Sequence, residues 1–323
     1  MTAHGILLAS QPLLTESDRM DVAHYFASDR QAARAHFLAA CRAAGLDIAT
    51  YFAPKEVHKA AEPIVEVTRL GRPYASTVIA LTCGAWEDEG LCASGIFTAI
   101  LRHDLARLLP RDIALVLIHA IAPAGLSGLG RRGAPAETRE NKWSHEALAA
   151  AESRFFDYVQ QAASIANPSV ANTVPWQARL LCEIADRFFQ RAKRTVLVDL
   201  RTGPGPYGEA DLLPCQIVHG DPLIDIDPLF GIKDDPNEPP AWGTPGNLAH
   251  GLIAALGRSQ ISGAVLEFGT YSMRSILSAG HGTVFYPRDD QWRQQVWELT
   301  MTTFHQLLTA LNQGQPVTPL AAS

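Results

Sequence analysis

Residues 195–208 read Thr-Val-Leu-Val-Asp-Leu-Arg-Thr-Gly-Pro-Gly-Pro-Tyr-Gly. An apolar, β-branched run of strand length gives way at once to a turn made of Gly and Pro. A run so short and so apolar predicts a strand buried on both faces. Three more runs have the same character: 76–82 (STVIALT), 113–119 (IALVLIH) and 264–268 (AVLEF). A shorter alternating stretch, Ile64-Val65-Glu66-Val67, predicts an edge strand. Helical patterns lie between and after them. One starts at Asp29 behind a Ser28 cap, places Ala33, Phe37, Ala40, Cys41 and Ala44 at helical spacing, and stops at Gly45. A second covers 90–109. A third, 289–311, sets Trp292, Val296, Leu299 and Leu307 on one face. Strands alternating with helices specify the α/β class: one domain over residues 1–323, with a mostly parallel twisted central sheet and helices on both faces.

Composition narrows the function classes. The chain has 323 residues, of which 47% are hydrophobic, enough for one large core. Its net charge of −6 offers no basic surface, so neither nucleic acid nor an anionic membrane is expected as a partner. No apolar run approaches the ~20 residues of a membrane helix. The apolar patch at 6–10 has no basic segment before it, which argues against a signal peptide. Five cysteines, an odd number without a Cys-x-x-Cys pair, predict reduced thiols and a cytoplasmic protein. The irregular stretches at about 123–143 and 221–246 are expected as active-site loops, and the tail after 312 as frayed. Oligomeric state leaves no mark in the sequence.

In a parallel α/β sheet, ligands bind beyond the carboxyl ends of the strands. Three such ends carry charge beside Gly-containing turns, which makes Glu89, Arg201 and Glu267 the candidates for a convergent site. Each has a plainer explanation. Glu89 opens a helix, where a carboxylate gains ~0.3–1 kcal/mol from the dipole alone. Arg201 can pair with Asp199 or with a loop carboxylate. Glu267 ends an apolar strand, where an ionisable group is costly unless paired, so its plain explanation is the weakest. His119 is expected as a hydrogen-bonded core histidine. The other histidines show no zinc-ligand spacing. Ser94, Cys83 and Cys92 lack a histidine at readable distance and are expected to be packing. Arg131-Arg132 is expected as a solvated pair.

Taken together, the phrases at Leu81–Ser94, His119–Gly125, Val198–Gly208, Val265–Tyr271 and Phe285–Trp292 resemble a zinc carboxypeptidase-like family. Its nearest branch is a bacterial one, of unknown function, related to carboxypeptidase A and the deacylases. Asp-Leu-x-Thr-Gly-x-Gly-Pro-Tyr-Gly and Leu-Glu-Phe-Gly-Thr are the specific parts, and the resemblance spans nearly the whole chain. It implies a carboxypeptidase-like fold. In that family a His and a Glu three residues apart, with a second His from a later strand, hold zinc, and a Glu on the last strand takes a proton from the metal-bound water.

Here the pattern breaks. The first His position is Trp86, the ligand Glu is kept as Glu89, the second His position is Arg201, and the general base is kept as Glu267. The substrate-clamping Asn-Arg becomes Asn141-Lys142, which lacks the two-pronged grip of arginine. The resemblance therefore implies no metal at the degenerate positions Trp86, Glu89 and Arg201, and no other cofactor. Rescue of zinc by another histidine is the alternative. Glu267 and Arg201 are the expected catalytic pair, with Trp86, Glu89, Lys142, Asn141, Tyr207 and Tyr271 around the substrate. Arg201 is expected to sit between Glu89 and Glu267 as a replacement for the lost cation. The resulting expectation is a metal-independent enzyme working by Glu/Arg acid–base chemistry on a small carboxylated, amide or acyl substrate. Two alternatives stay open: a non-catalytic relative binding a small peptide-like ligand or a partner, and a zinc amide hydrolase of the family type.

Overall fold

Val78 and Ile79 are consecutive residues of one strand, and both are buried. Consecutive side chains of a strand point to opposite faces, so this strand is covered on both sides. The computed structural model of the chain describes residues 6–7, 21–52, 63–83, 87–119, 176–203, 205–214, 229, 256, 260–271 and 285–313. Its described elements run β1 (Ile6–Leu7), α1 (Arg30–Ala43), β2 (Ile48–Phe52), β3 (Pro63–Leu70), β4 (Thr77–Cys83) and α2 (Glu87–Arg102). They continue with β5 (Ile113–His119), α3 (Trp176–Phe189), β6 (Arg194–Gly203), β7 (Ala210–Pro214), β8 (Gln260–Gly269) and α4 (Asp290–Gln313).

All eight strands join one mixed sheet in the order β1-β7-β8-β6-β4-β5-β3-β2. Its centre, β8-β6-β4-β5, is parallel, and antiparallel strands finish both margins. The α/β expectation is borne out. Ile79, Leu81, Leu115, Leu117, Val198 and Leu266 face a core shared with α1, α2 and α4. Their neighbours Val78, Ala80, Val116, Leu197 and Val265 face a second core, built against α3. Each central strand is therefore apolar at successive positions, which is why the runs read as continuous.

The element ends have local causes. The cap of α1 is Asp29, whose Oδ1 accepts the Ala32 amide at 2.9 Å; Ser28, the expected cap, lies one residue outside. Gly45 ends that helix with φ +66°, the left-handed conformation glycine adopts without penalty. Helix α2 starts earlier than expected and stops at Arg102, because Asp104 takes φ 51° and only a short turn (Leu105–Leu108) follows. The Ile64–Val67 stretch is not at the edge: β3 lies between β5 and β2. Its Glu66 carboxylate turns inward to receive Nε of Arg34 at 2.8 Å. On the other face, Nη1 of Arg69 donates to the Phe188 carbonyl at 2.7 Å and so fixes the carboxyl end of α3. No helix among the described residues is long and apolar enough to cross a membrane.

His119 ends β5 as a core histidine. Its ring stacks on Phe37 with centroids 4.2 Å apart, and Nε2 lies 2.9 Å from Oγ of Ser94. Ser94 thus has a histidine partner that sequence spacing did not show. Glu66 lies 3.8 Å from Nδ1, which completes the composition of a hydrolytic triad but not its geometry. The hydroxyl is only 1% exposed, and the carboxylate is held by Arg34.

Burial pushes the His119 ring down to about 3 from 6.5. The ring stays neutral in the fold while the unfolded chain takes up a proton below 6.5, so stability falls as the pH drops through that window. The buried carboxyl of Glu66 is raised and acts in the opposite direction, so the histidine has to be isolated by comparison. The stability advantage of the wild type over His119→Gln is expected to shrink by about 2 kcal/mol between pH 7 and pH 5. Urea unfolding of both proteins at the two pH values measures it; a constant difference would contradict a neutral core imidazole.

Candidate active site

Strand order reverses at β4, whose chain successor β5 lies on one side and β6 on the other. Such a reversal opens a crevice at the carboxyl ends of the strands. On the α3 side of the sheet, Val78, Ala80, Leu197 and Val265 are apolar at mid-strand. Two residues further along each strand, the same face becomes polar, with Thr82, Asp199, Arg201 and Glu267.

Backbone register sets these side chains beside one another. Thr82 is the Cα partner of Asp199, Arg201 of Glu267, and Asp211 of Glu267. Asp199, 1% exposed, accepts at Oδ1 from the Thr82 hydroxyl and at Oδ2 from Nε of Arg201, at 2.7 Å. Burial raises the Asp199 carboxyl, while Arg201 and Thr82 oppose the rise. Burial also raises Glu267; Arg201 opposes this and Asp211 adds to it. Asp211 is raised by burial and by Glu209. Among the described residues, Oδ1 of Asp211 and Oε2 of Glu209 are buried and find no hydrogen-bond partner, and both residues line a small hollow with Glu267, Gly205 and Gly269. Raised carboxyls at 211 and 267 thus stand near the Arg201 guanidinium.

The Gly/Pro turn makes the space. A Cβ on Gly203 would run into the Glu267 carboxylate, so glycine leaves the acid its place. Beyond Gly203 the turn is tied to the end of β8: the Thr270 amide donates to Gly203 (3.0 Å), the Gly205 amide to Tyr271 (3.2 Å) and the Gly208 amide to Gly269 (3.1 Å). These ties bring Tyr207 and Tyr271 together at the rim, 42% and 38% exposed, with ring centroids 5.6 Å apart. Burial and then Asp289 push the Tyr207 hydroxyl up to about 12.

Arg201 and Glu267 are thus set side by side by the register of β6 and β8, and Tyr207 and Tyr271 form a separate aromatic pair where the turn after β6 meets the end of β8. Arg201 lies within β6 rather than in a loop after it, and its resolved carboxylate partner is Asp199. Its expected place between Glu89 and Glu267 is not tested by the described side chains. Glu89 lies in the first turn of α2, with its side chain outside the described set; Trp86, Asn141, Lys142 and, apart from Leu229, the two long loops lie outside the described residues. Thr82, Glu209 and Asp211 were not singled out from sequence. For Thr82, the only signal was its place at a strand end. At the positions that the resemblance implies, Trp86, Glu89 and Arg201, the residue types suit a zinc ion poorly. A guanidinium and an indole have no lone pair to give a metal, and the guanidinium at 201 already donates to Asp199. A dication about 4 Å from it would meet repulsion on the order of 8 kcal/mol. Among the described residues, no three His, Cys, Asp or Glu side chains gather as a metal-binding group.

Comparison with known proteins gives a family. No curated protein matches the chain in sequence. Similar solved structures include a glutaminyl cyclase of Bacteroides thetaiotaomicron bound to N-acetylhistamine, at 11% identity and TM-score 0.41, covering 89% of this chain and 97% of that one. A leucine aminopeptidase precursor from the same organism shares 11% identity at TM-score 0.42, covering 88% and 95%. A Zn-dependent exopeptidase from Parabacteroides distasonis shares 10% at TM-score 0.38, covering 90% and 96%. The sequence pattern of the family described as "Protein of unknown function (DUF2817)" matches residues 26–134 and 172–283; this is more than half of the chain, which therefore belongs to that family.

Proposed function

We propose that the chain is a metal-independent enzyme that hydrolyses or cyclises a small amide or activated acyl substrate. In this reading Glu267 carries the proton and Arg201 stabilises the oxyanion. One observation carries it: Arg201 and Glu267 are register partners at the carboxyl end of the parallel sheet, and the arginine is held by a buried aspartate. An ionised Glu267 takes the proton from the attacking nucleophile, a water or an amine of the substrate itself. Negative charge then grows on the carbonyl oxygen beside the guanidinium. Glu267 returns the proton to the leaving group.

Among the described residues of the site, carboxylates at 199, 209, 211 and 267 outnumber the Arg201 guanidinium, which favours a neutral or aminated substrate over a carboxylated one. Tyr207 and Tyr271 offer its apolar part an aromatic wall. The pairing of Arg201 with Asp199 also suits a non-catalytic binding protein, in which the same residues only shape a pocket.

The test is a panel of p-nitrophenyl acyl esters, amino-acid p-nitroanilides and N-terminal glutaminyl peptides, assayed with and without EDTA and alongside metal analysis. Turnover indifferent to the chelator is expected. Stoichiometric zinc whose removal ends turnover overturns the reading.

A further inference from the structure

Asp199 is 1% exposed and Thr82 fully buried, and neither touches the hollow beside Glu267. Their arrangement is nevertheless specific. The Thr82 hydroxyl donates to one carboxylate oxygen of Asp199, and Nε of Arg201 donates to the other at 2.7 Å. Both oxygens of the buried acid therefore have strong donors, one from the neighbouring strand β4 and one from β6 itself. An arginine side chain has four rotatable bonds, and a donor bond at Nε fixes the last of them together with the plane of the guanidinium. The backbone contributes the rest: residues 199 and 201 lie two apart on one face of β6, and 201 lies opposite Glu267.

We propose that Asp199, braced by Thr82, is a positioning residue that fixes the Arg201 guanidinium beside Glu267 as a preset cation. This rests on the site reading above for its use, but not for its geometry. A mobile arginine would swing onto Glu267 and tie up the proton carrier in a salt bridge. A guanidinium already tied through Nε keeps its charge near the site without that collapse. The hydroxyl of Thr82 matters because an unbraced Asp199 carboxylate is free to rotate with the arginine attached.

The experiment reads solvent exchange of the Arg201 Nε–H in 15N-labelled protein, its resonance assigned by its loss in Arg201→Lys. A slowly exchanging resonance is expected in the wild type. Thr82→Val, which changes no charge and little volume, is expected to speed exchange by about tenfold or more and to lower the thermal midpoint by a few degrees, because one oxygen of the buried Asp199 carboxylate loses its donor. Thr82→Ser, which keeps the donor, is expected to restore slow exchange. Asp199→Asn is expected to give the largest effect if it folds; if it does not, the Val/Ser pair decides. Equal exchange in wild type, Thr82→Val and Thr82→Ser overturns the proposal. Exchange is read without turnover, so the result stands apart from the assay panel. Protected exchange with no activity would sink the enzyme reading alone, and activity with unprotected exchange would sink the positioning role alone.

Discussion

Glu267→Gln is expected to lower kcat/KM by about a hundred- to ten-thousandfold and to leave the protein as stable as before, or more so. The two effects have one cause. Burial raises the Glu267 carboxyl above its ordinary 4.5, so the fold bears a cost for keeping this group ionised at neutral pH. Glutamine has the same shape without the charge, and it fits the space that Gly203 leaves open. Loss of the Coulomb partner matters little to Arg201, whose Nε remains with Asp199. A residue kept only to balance charge in the fold would behave in the opposite way, with lower stability and unchanged turnover. The wild type supplies a second check. Because the base works ionised, kcat/KM is expected to fall on the acid side through a midpoint above 4.5. Steady-state assays from pH 4 to 8, with thermal melts of both proteins, decide the matter; retention of activity within a fewfold in the variant removes Glu267 from the chemistry.

The central sheet was legible because the strands that form it are apolar on both faces. IALVLIH coincides with β5 (Ile113–His119), and STVIALT falls one residue from β4 (Thr77–Cys83). The β6 strand runs on to Gly203, past the point where Asp199 and Arg201 break the apolar pattern. Those charges satisfy each other inside the sheet, and a pattern of hydrophobicity does not register pairing. The margins were illegible for a different reason. Segment Ala210–Pro214 is too short and too mixed to announce a strand, and it becomes one only because β8 offers an edge. With β7 unseen, Asp211 could not be set beside Glu267. Helix α3 did leave a signal. Leu180, Leu181, Ile184, Ala185 and Phe189 are all buried against the sheet, at spacings that mark one face of a helix.

Of the site, the two catalytic candidates were legible as charges at strand ends, and the tyrosines through the family phrases. What the sequence left open was who holds Arg201. Asp199 two residues before it and a loop carboxylate were equally good on paper. Alternation along β6 makes the nearer acid a same-face neighbour, and register then adds Thr82 from β4. The pairing with Asp199 follows from the pleat of the sheet, which becomes usable once the strand is known to continue to Gly203.

Gly269→Ala is expected to destabilise the protein by about 3 kcal/mol, at the upper end of overpacking costs, and to remove activity with it. A Cβ at 269 would fall on the carbonyl oxygen of Pro206, with that carbonyl carbon at 2.9 Å and the Gly205 carbon at 3.0 Å. These neighbours are backbone, so no side chain can turn aside to make room. Gly269 cannot retreat either. Its amide donates to Glu209 at 2.9 Å and its carbonyl accepts the Gly208 amide. That carbonyl also accepts Nε1 of the buried Trp292 at 2.9 Å. Relief therefore has to come from detaching the turn at 205–209, which carries Tyr207 at the rim and leads into Asp211. Gly45→Ala makes the contrast. That glycine has φ +66° and nothing within 4 Å of a Cβ, so alanine there costs only the left-handed penalty of about 1–2 kcal/mol and leaves the site untouched. Urea midpoints and turnover of the two variants, read side by side, test the claim. If Gly269→Ala is no less stable than Gly45→Ala, or keeps its turnover, the turn is not pinned at this crossing, and the strand end of β8 is looser than its hydrogen bonds imply.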